Sequence, residues 1–497
     1  MNSFQRKSLY AALAGAGALG VAGTANAVNV GPGGLGQVLI YPYYTVNADA
    51  AGNAYNSLMS VINTTGSAKV VKVRFLEGKN SREVLDFNLF LSKHDVWTAA
   101  IFPSPTSGGG RIITADKSCT IPSNTALQAG VDFVNFAYTG PFDDKGGSGL
   151  DRTKEGYVEI IEMGLYRTDT TTYSQITHVG GVPFNCAGLS DTQASDDAFS
   201  ASGGLFGGMT LINVNDGTDY TEDAVALQRF NFAITYQPAG TISPQLTDSG
   251  PKTSVVFGAE QNPAKVCGCG CQTSDLGVYL SKWPTPLYLT ADTVSAALMH
   301  NAVINEYVVD TSIKAGTDWV VTFPTKRFYV NVGTGSAPKL FQRNFNATAG
   351  SCDDITLTIY NREEQTTSNP VTFSPPPPTP GVSICWEANV ITFNNTNVLA
   401  SNNKANINTT FNAGWLKLTF STSTSATYHT LGNITNTTHI FHPLKICQAL
   451  TKTYLGLPVV GFAVQSFTNG TLVVGGASVL SNYGGNFVHK TLTTLKN

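Results

Sequence analysis

The sequence predicts an all-β chain: tandem β-sandwich domains of Ig-like layout with few short helices. Three observations predict it. Apolar and polar residues alternate with period two over long stretches, glycine clusters interrupt the alternation at short intervals, and charged residues make up only 13% of the chain. A residue every second position on one side of the backbone is the signature of a half-buried strand. A charged fraction about half the usual 25% leaves Ser, Thr, Asn and Gly to cover the surface, a composition that suits outward strand positions.

The alternation is plainest near the N-terminus. Val71, Val73 and Phe75 share one face and Lys72 and Arg74 the other. Leu85, Phe87, Leu89 and Leu91 repeat the pattern against Asp86 and Asn88, and the run 58–62 ends at the turn-like Asn63-Thr-Thr-Gly66. Further strands are expected at 38–46, 96–102, 157–163, 209–214, 318–323, 327–333, 415–420 and 471–474. Trp97 is expected in the core of the layer formed by 58–102. Helix signals are few. Asp292 is expected as the N-cap of a helix carrying Val294, Ala297, Leu298 and Ile304, and a shorter helix is expected over 221–228.

At the N-terminus, Arg6 and Lys7 precede a small-residue apolar run from Leu9 to Ala22, followed by Ala25-Asn26-Ala27. This reads as a secretory signal with cleavage after Ala27, and the run is too short for a span of about 20 residues. The expected organisation is therefore 1–27 signal peptide, 28–285 N-terminal β-sandwich region and 286–497 C-terminal β-sandwich region. Asp95-Val-Trp97 leading to Phe102-Pro103, and Asp318-Trp319 leading to Phe323-Pro324, hint that the two regions are related modules. No apolar stretch after residue 27 is long enough for a transmembrane segment. Export implies the cell surface, the extracellular medium or the periplasm.

Eight cysteines in an exported chain read first as disulfides, with about a hundred pairings open. Position favours Cys352 with Cys385, which begin two strand-like runs, and then Cys119 with Cys186. Cys267, Cys269 and Cys271 in Cys-Gly-Cys-Gly-Cys are weak metal candidates, since soft ions take dense thiolates. A disulfide cluster is the stronger reading in an oxidising compartment. His439 and His442 lie three apart and fall on opposite faces of a strand. No bound cofactor is expected; calcium is considered only for the acidic turns Asp143-Asp144 with Asp151, Asp216 with Asp219, Glu222 and Asp223, and Asp353-Asp354, and Asn213, Asn215, Asp216 and Gly217 do not follow the EF-hand offsets. Glu159 and Glu162 make a poor hydrolase pair, again by strand parity.

No phosphate-binding loop, dinucleotide fingerprint, His-Glu-x-x-His or Gly-x-Ser-x-Gly occurs in the sequence, and no catalytic residue is assigned. The formal charge is −3, with no basic block, so nucleic acid is not an expected partner. Seven Asn-x-Ser/Thr triplets, at Asn63, Asn346, Asn394, Asn408, Asn433, Asn436 and Asn469, would mark surface loops. Tyr41-Pro-Tyr-Tyr44 offers aromatic side chains to a sugar, a partner or the core.

The blocks Gly36-Gln-Val-Leu-Ile-Tyr-Pro-Tyr-Tyr-Thr45, Val73-Arg-Phe-Leu-Glu-Gly78, Asn80-Ser-Arg-Glu-Val-Leu-Asp-Phe-Asn-Leu89 and Asp95-Val-Trp-Thr-Ala-Ala-Ile101 carry a resemblance, joined by Asp318-Trp-Val-Val-Thr-Phe-Pro-Thr-Lys-Arg-Phe-Tyr329 and Ser481-Asn-Tyr-Gly-Gly-Asn-Phe487. Together they resemble a family of uncharacterised exported, cell-surface proteins of Gram-negative bacteria, over most of the mature chain. The resemblance implies an envelope or extracellular location and supplies no catalytic residues. The functional expectation is a non-enzymatic structural or interaction protein of the cell surface, such as a layer or filament subunit. It would self-associate or bind envelope partners, with the glycine-rich 28–36 as a flexible strand-donating arm. The alternatives are a secreted carbohydrate-binding protein or polysaccharide hydrolase, and an extracellular metal-binding protein.

Overall fold

The computed structural model describes residues 26–260, 276–283, 290–331, 340–346, 349–366, 382–420, 428–442 and 445–496; of 260, 276–277, 382, 433–442 and 445–451 it describes the backbone alone. The described residues are all-β, 48% strand and 12% helix. No described α-helix exceeds six residues.

Two antiparallel sheets form the first sandwich. Seven strands run in the order Asn29–Val30, Val225–Gln228, Val38–Thr45, Glu155–Tyr166, Ala68–Glu77, Glu83–Leu91 and Thr120–Ile121. Six run in the order Thr218–Asp223, Leu205–Asn213, Asn56–Asn63, Val96–Pro103, Gly110–Ile113 and Val131–Asp132. Strand parity sends Val71, Val73, Phe75, Phe87 and Leu89 inward from the first, to meet Met59, Val61, Trp97, Ile101 and Leu211 from the second. Trp97 is fully buried against Phe87, ring centres 5.8 Å apart. Tyr41, Tyr43 and Tyr44 are also buried here, so their rings serve the core and present no face to a sugar or partner.

The second sandwich pairs two five-stranded sheets. One contains Val382–Ile384, Asp353–Asn361, Ala413–Thr419, Ala302–Val308 and Lys490–Leu492; the other Lys404–Ile407, Ala388–Phe393, Ala315–Thr322, Val460–Phe467 and Tyr483–Val488. The latter sheet is covered on both sides. Trp319, Val321, Ile391 and Ala463 face the second core, while Val320, Val390, Phe462 and Val464 enter the first. This explains the near-continuous apolar run around Val320 and Val321, which a one-sided strand would not need. The regions before and after residue 285 thus share one core. A third group of pairings passes from Thr253–Glu260 through Leu276–Lys282, Thr430–His442 and Lys445–Leu455 to Thr494–Lys496, which meets Thr253–Glu260 again at Ala259 and Glu260.

Several local expectations change. Helix covers only Asp292–Ala297, with Ala291 at the N-cap; Ile304 lies in strand Ala302–Val308, where it and Val303 pair on both sides. Residues 221–223 and 225–228 lie in strands on either side of Ala224, because both ends find sheet partners. Arg327–Val330 is a helical turn with Asn331 at its C-cap, and 332–333 of the expected strand lie outside the described residues. The arm 28–36 is tied into its own fold: Asn29 and Val30 pair with Gln228 and Leu227, and Val28 N–H donates to Thr253 O at 2.8 Å. Its strand is donated within the chain.

Candidate interaction surface

The expected disulfides Cys119–Cys186 and Cys352–Cys385 are both formed, with Cα atoms 5.2 and 3.7 Å apart. The second ties Asp353–Asn361 to its antiparallel neighbour Val382–Ile384. Cys267, Cys269 and Cys271 lie outside the described residues, as do the side chains of His439 and His442. Ala27 and Val28, which flank the expected cleavage point, are buried. Asn63 is buried and donates to Ser67 O and Ser92 O, which removes it as a glycan acceptor in the folded chain; Asn346, Asn394, Asn408 and Asn469 are exposed.

The acidic residues are mostly locked in place. Glu159 meets Arg74 at 2.8 Å and Glu162 meets Lys69 at 2.7 Å, all four side chains buried. They are not brought together as a hydrolytic pair. Asp144 is held below the usual carboxylate range: burial alone would raise it, but hydrogen bonds from Arg152 and Asn80 outweigh that. Asp353 accepts from Lys326 at 2.9 Å and meets His429 at 3.1 Å. Asp216 is raised by burial and then by Asp49 beside it; Asn53 and Asn213 donate to it. Among the described residues no three His, Cys, Asp or Glu side chains are grouped to hold a metal ion.

One Ser/His/Asp cluster escaped the sequence reading, because its members are up to 86 residues apart. Ser92 Oγ lies 3.0 Å from His178 Nδ1 and 3.2 Å from Asp95 Oδ2. Asp95 Oδ2 is 3.8 Å from the same ring nitrogen. A nucleophile relay needs hydroxyl and carboxylate on opposite ring nitrogens. Here Asp95 instead accepts the backbone N–H groups of Ser92 and Val96, fastening the turn between two strands.

The unexplained chemistry is on the surface and is apolar. On the outward side of the six-stranded sheet, register aligns Phe206, Ile62 and Val96 in one row across three strands. The next row is Gly208, Ser60 and Thr98, and the third is Thr210, Leu58, Ala100 and Ile113. Residues paired directly across strands stand side by side on one face. A row of small residues between two bulkier ones makes a groove of about 600 Å³. Phe206 and Leu58 are 40% and 41% exposed on its walls, and Val96, 49% exposed, stands in the same row as Phe206. Gly207 shapes the sheet beneath: a Cβ there would stand 2.3 Å from the Tyr41 hydroxyl, which donates to Ser60 O.

The second apolar element is a hairpin, Thr471–Val474 paired with Ala477–Leu480 as an isolated two-stranded sheet. Gly475 and Gly476 both take positive φ, which a two-residue turn between right-twisted strands requires. All eight strand residues are exposed. Pairing of Leu472 with Val479 and of Val474 with Ala477 gives one face that is wholly apolar. The other face carries Thr471, Val473, Ser478 and Leu480, and Leu480 rests against Gly217. The neck is fixed by Ser481 N–H to Gly470 O and by Asn482, which donates to Asp216 O.

No family model, curated protein or solved structure matches the chain.

Proposed function

We propose that the chain is a non-enzymatic structural protein of the bacterial cell surface that assembles with copies of itself as a layer or filament subunit. The exposed hairpin Thr471–Leu480 carries this reading. A two-stranded hairpin is marginal in water without a further layer, and this one holds Leu472, Val473, Val474, Val479 and Leu480 at 45–74% exposure. Contiguous exposed apolar surface marks a site of association. Two disulfides, low charge and the resemblance to exported surface proteins support placement outside the cytoplasm. The test is light scattering of the purified mature chain from 1 to about 100 times its lowest measurable concentration, with electron microscopy of the same samples. Concentration-dependent oligomers or ordered arrays are expected, reduced by Leu472→Asp. A monomer at every concentration would overturn the reading.

One observation favours a second reading, carbohydrate binding. Trp415 is 39% exposed and stacks on Tyr360 with ring centres 4.6 Å apart, with Glu306 paired to it on the adjoining strand and Lys417 two residues along its own. Glycan-array binding lost in Trp415→Ala would support it.

A further inference from the structure

We propose that the apolar face of the hairpin Thr471–Leu480 docks on the groove of the six-stranded sheet in a second copy of the chain. The inference rests on the self-assembly reading above and names its contact.

Among the described residues both surfaces leave apolar side chains uncovered, with Thr221 and Asp223 at the polar edge of the groove. The hairpin offers Leu472, Val474, Ala477 and Val479 on one side, uncharged and exposed. The groove offers a floor of Gly208, Ser60 and Thr98, where the small side chains leave room for incoming ones. Its volume of about 600 Å³ is in the range of clefts that bury a ligand. A sheet packs on a sheet about 10 Å away with interdigitating side chains, and a hairpin laid on this face would act as a third layer.

The hairpin cannot meet the groove of its own subunit in the conformation it holds. Its neck is bonded to the Asp216 turn, and Leu480 packs against Gly217, which turns the Leu472–Val474–Val479 face away from the body. A second copy is therefore the occupant. Donor and receptor are different surfaces, so the contact is head-to-tail, and each bound copy presents a fresh groove and a fresh hairpin. Such contacts propagate into filaments, or into rings where the rotation closes. The four-residue strands are about 14 Å long, so one contact covers less than the roughly 800 Å² per partner of a standard interface. Each contact is then weak alone, and assembly depends steeply on concentration.

The test places a benzophenone amino acid at Val474 of the full mature chain and mixes it with isotope-labelled unmodified copies before irradiation. Crosslinks from 474 to labelled peptides containing 58–60, 98–100 or 206–210 are expected. In parallel, Thr98→Trp and Ser60→Trp fill the groove floor from the solvent side. Each is expected to weaken self-association at least tenfold with the melting temperature unchanged. Assembly with crosslinks only at other peptides, or only between two hairpins, would overturn the groove contact and leave self-assembly standing. Assembly untouched by both Trp substitutions would do the same. A chain that stays monomeric throughout would overturn both.

Discussion

Ser81 and Glu387, 306 positions apart, are joined in the interior by a 2.7 Å hydrogen bond from the serine hydroxyl to the carboxylate. Ser81 also accepts from Tyr157, and Gly78 O receives the backbone N–H groups of Glu387 and Ala388. The turn after Ala68–Glu77 is thereby sewn to the strand Ala388–Phe393. A similar seam joins Glu155 to Tyr43, Ser401, Asn402 and Asn403.

Stability should fall as pH rises from about 6.5 to 8, above the range in which the buried His300 and His489, pushed down to about 4, act in the opposite sense. Burial pushes Glu387 up to about 8, and Glu222 and Asp318 up to about 7 and 6. Each group holds its proton more tightly when folded than when unfolded. Its stabilisation is complete below the ordinary carboxylate value and is lost as pH rises through the raised one. Glu387→Gln mimics the protonated form. It should flatten the upper part of the profile and exceed the wild type at pH 9 by roughly 1–3 kcal/mol. Urea denaturation between pH 5 and 9 measures this; parallel profiles for the two proteins would reject it.

Lys69→Met should cost about 3–5 kcal/mol, because it strands a buried carboxylate. Glu162 would keep only the backbone N–H groups of Ser202 and Gly203. Adding Glu162→Gln should recover part of the loss. A double-mutant cycle reads the coupling, and purely additive losses would show that the pair acts independently.

Gly207→Ala and Gly208→Ala should differ although the residues are adjacent. The first puts a Cβ 2.2 Å from Ser60 O, the second 3.1 Å from Glu222 O on the open face. Overpacking costs about 1–3 kcal/mol. That loss is expected for Gly207→Ala alone, read as a shift in urea midpoint at constant slope.

Non-reducing peptide mapping should recover Cys119 linked to Cys186 and Cys352 linked to Cys385. Removing either bridge by paired Cys→Ala substitution should lower stability by roughly 2–5 kcal/mol. The bridges enclose 67 and 33 residues of separation, so the first should cost slightly more.

The sequence by itself determined the fold class and most strand positions, and favoured the two bridges that formed. These depend on local quantities: period-two alternation for strands such as Ala68–Glu77 and Glu83–Leu91, turn residues between them, and cysteines beside strand starts. It also placed a strand at 471–474, without showing that its side chains would stay in water. Tertiary structure decided the rest. Residues 221–228 became strand because 221–223 close a hairpin with Leu205–Asn213 and 225–227 pair with Val38–Thr45, far away in the chain. The shared core exists because one five-stranded sheet is covered on both faces, which alternation alone does not report. The Ser92–Asp95–His178 cluster and the groove were equally hidden, since each assembles residues from distant strands through register. An apolar side chain reads the same in sequence whether a partner covers it or solvent does; only the packing distinguishes Trp97 in the core from Leu472 on the hairpin.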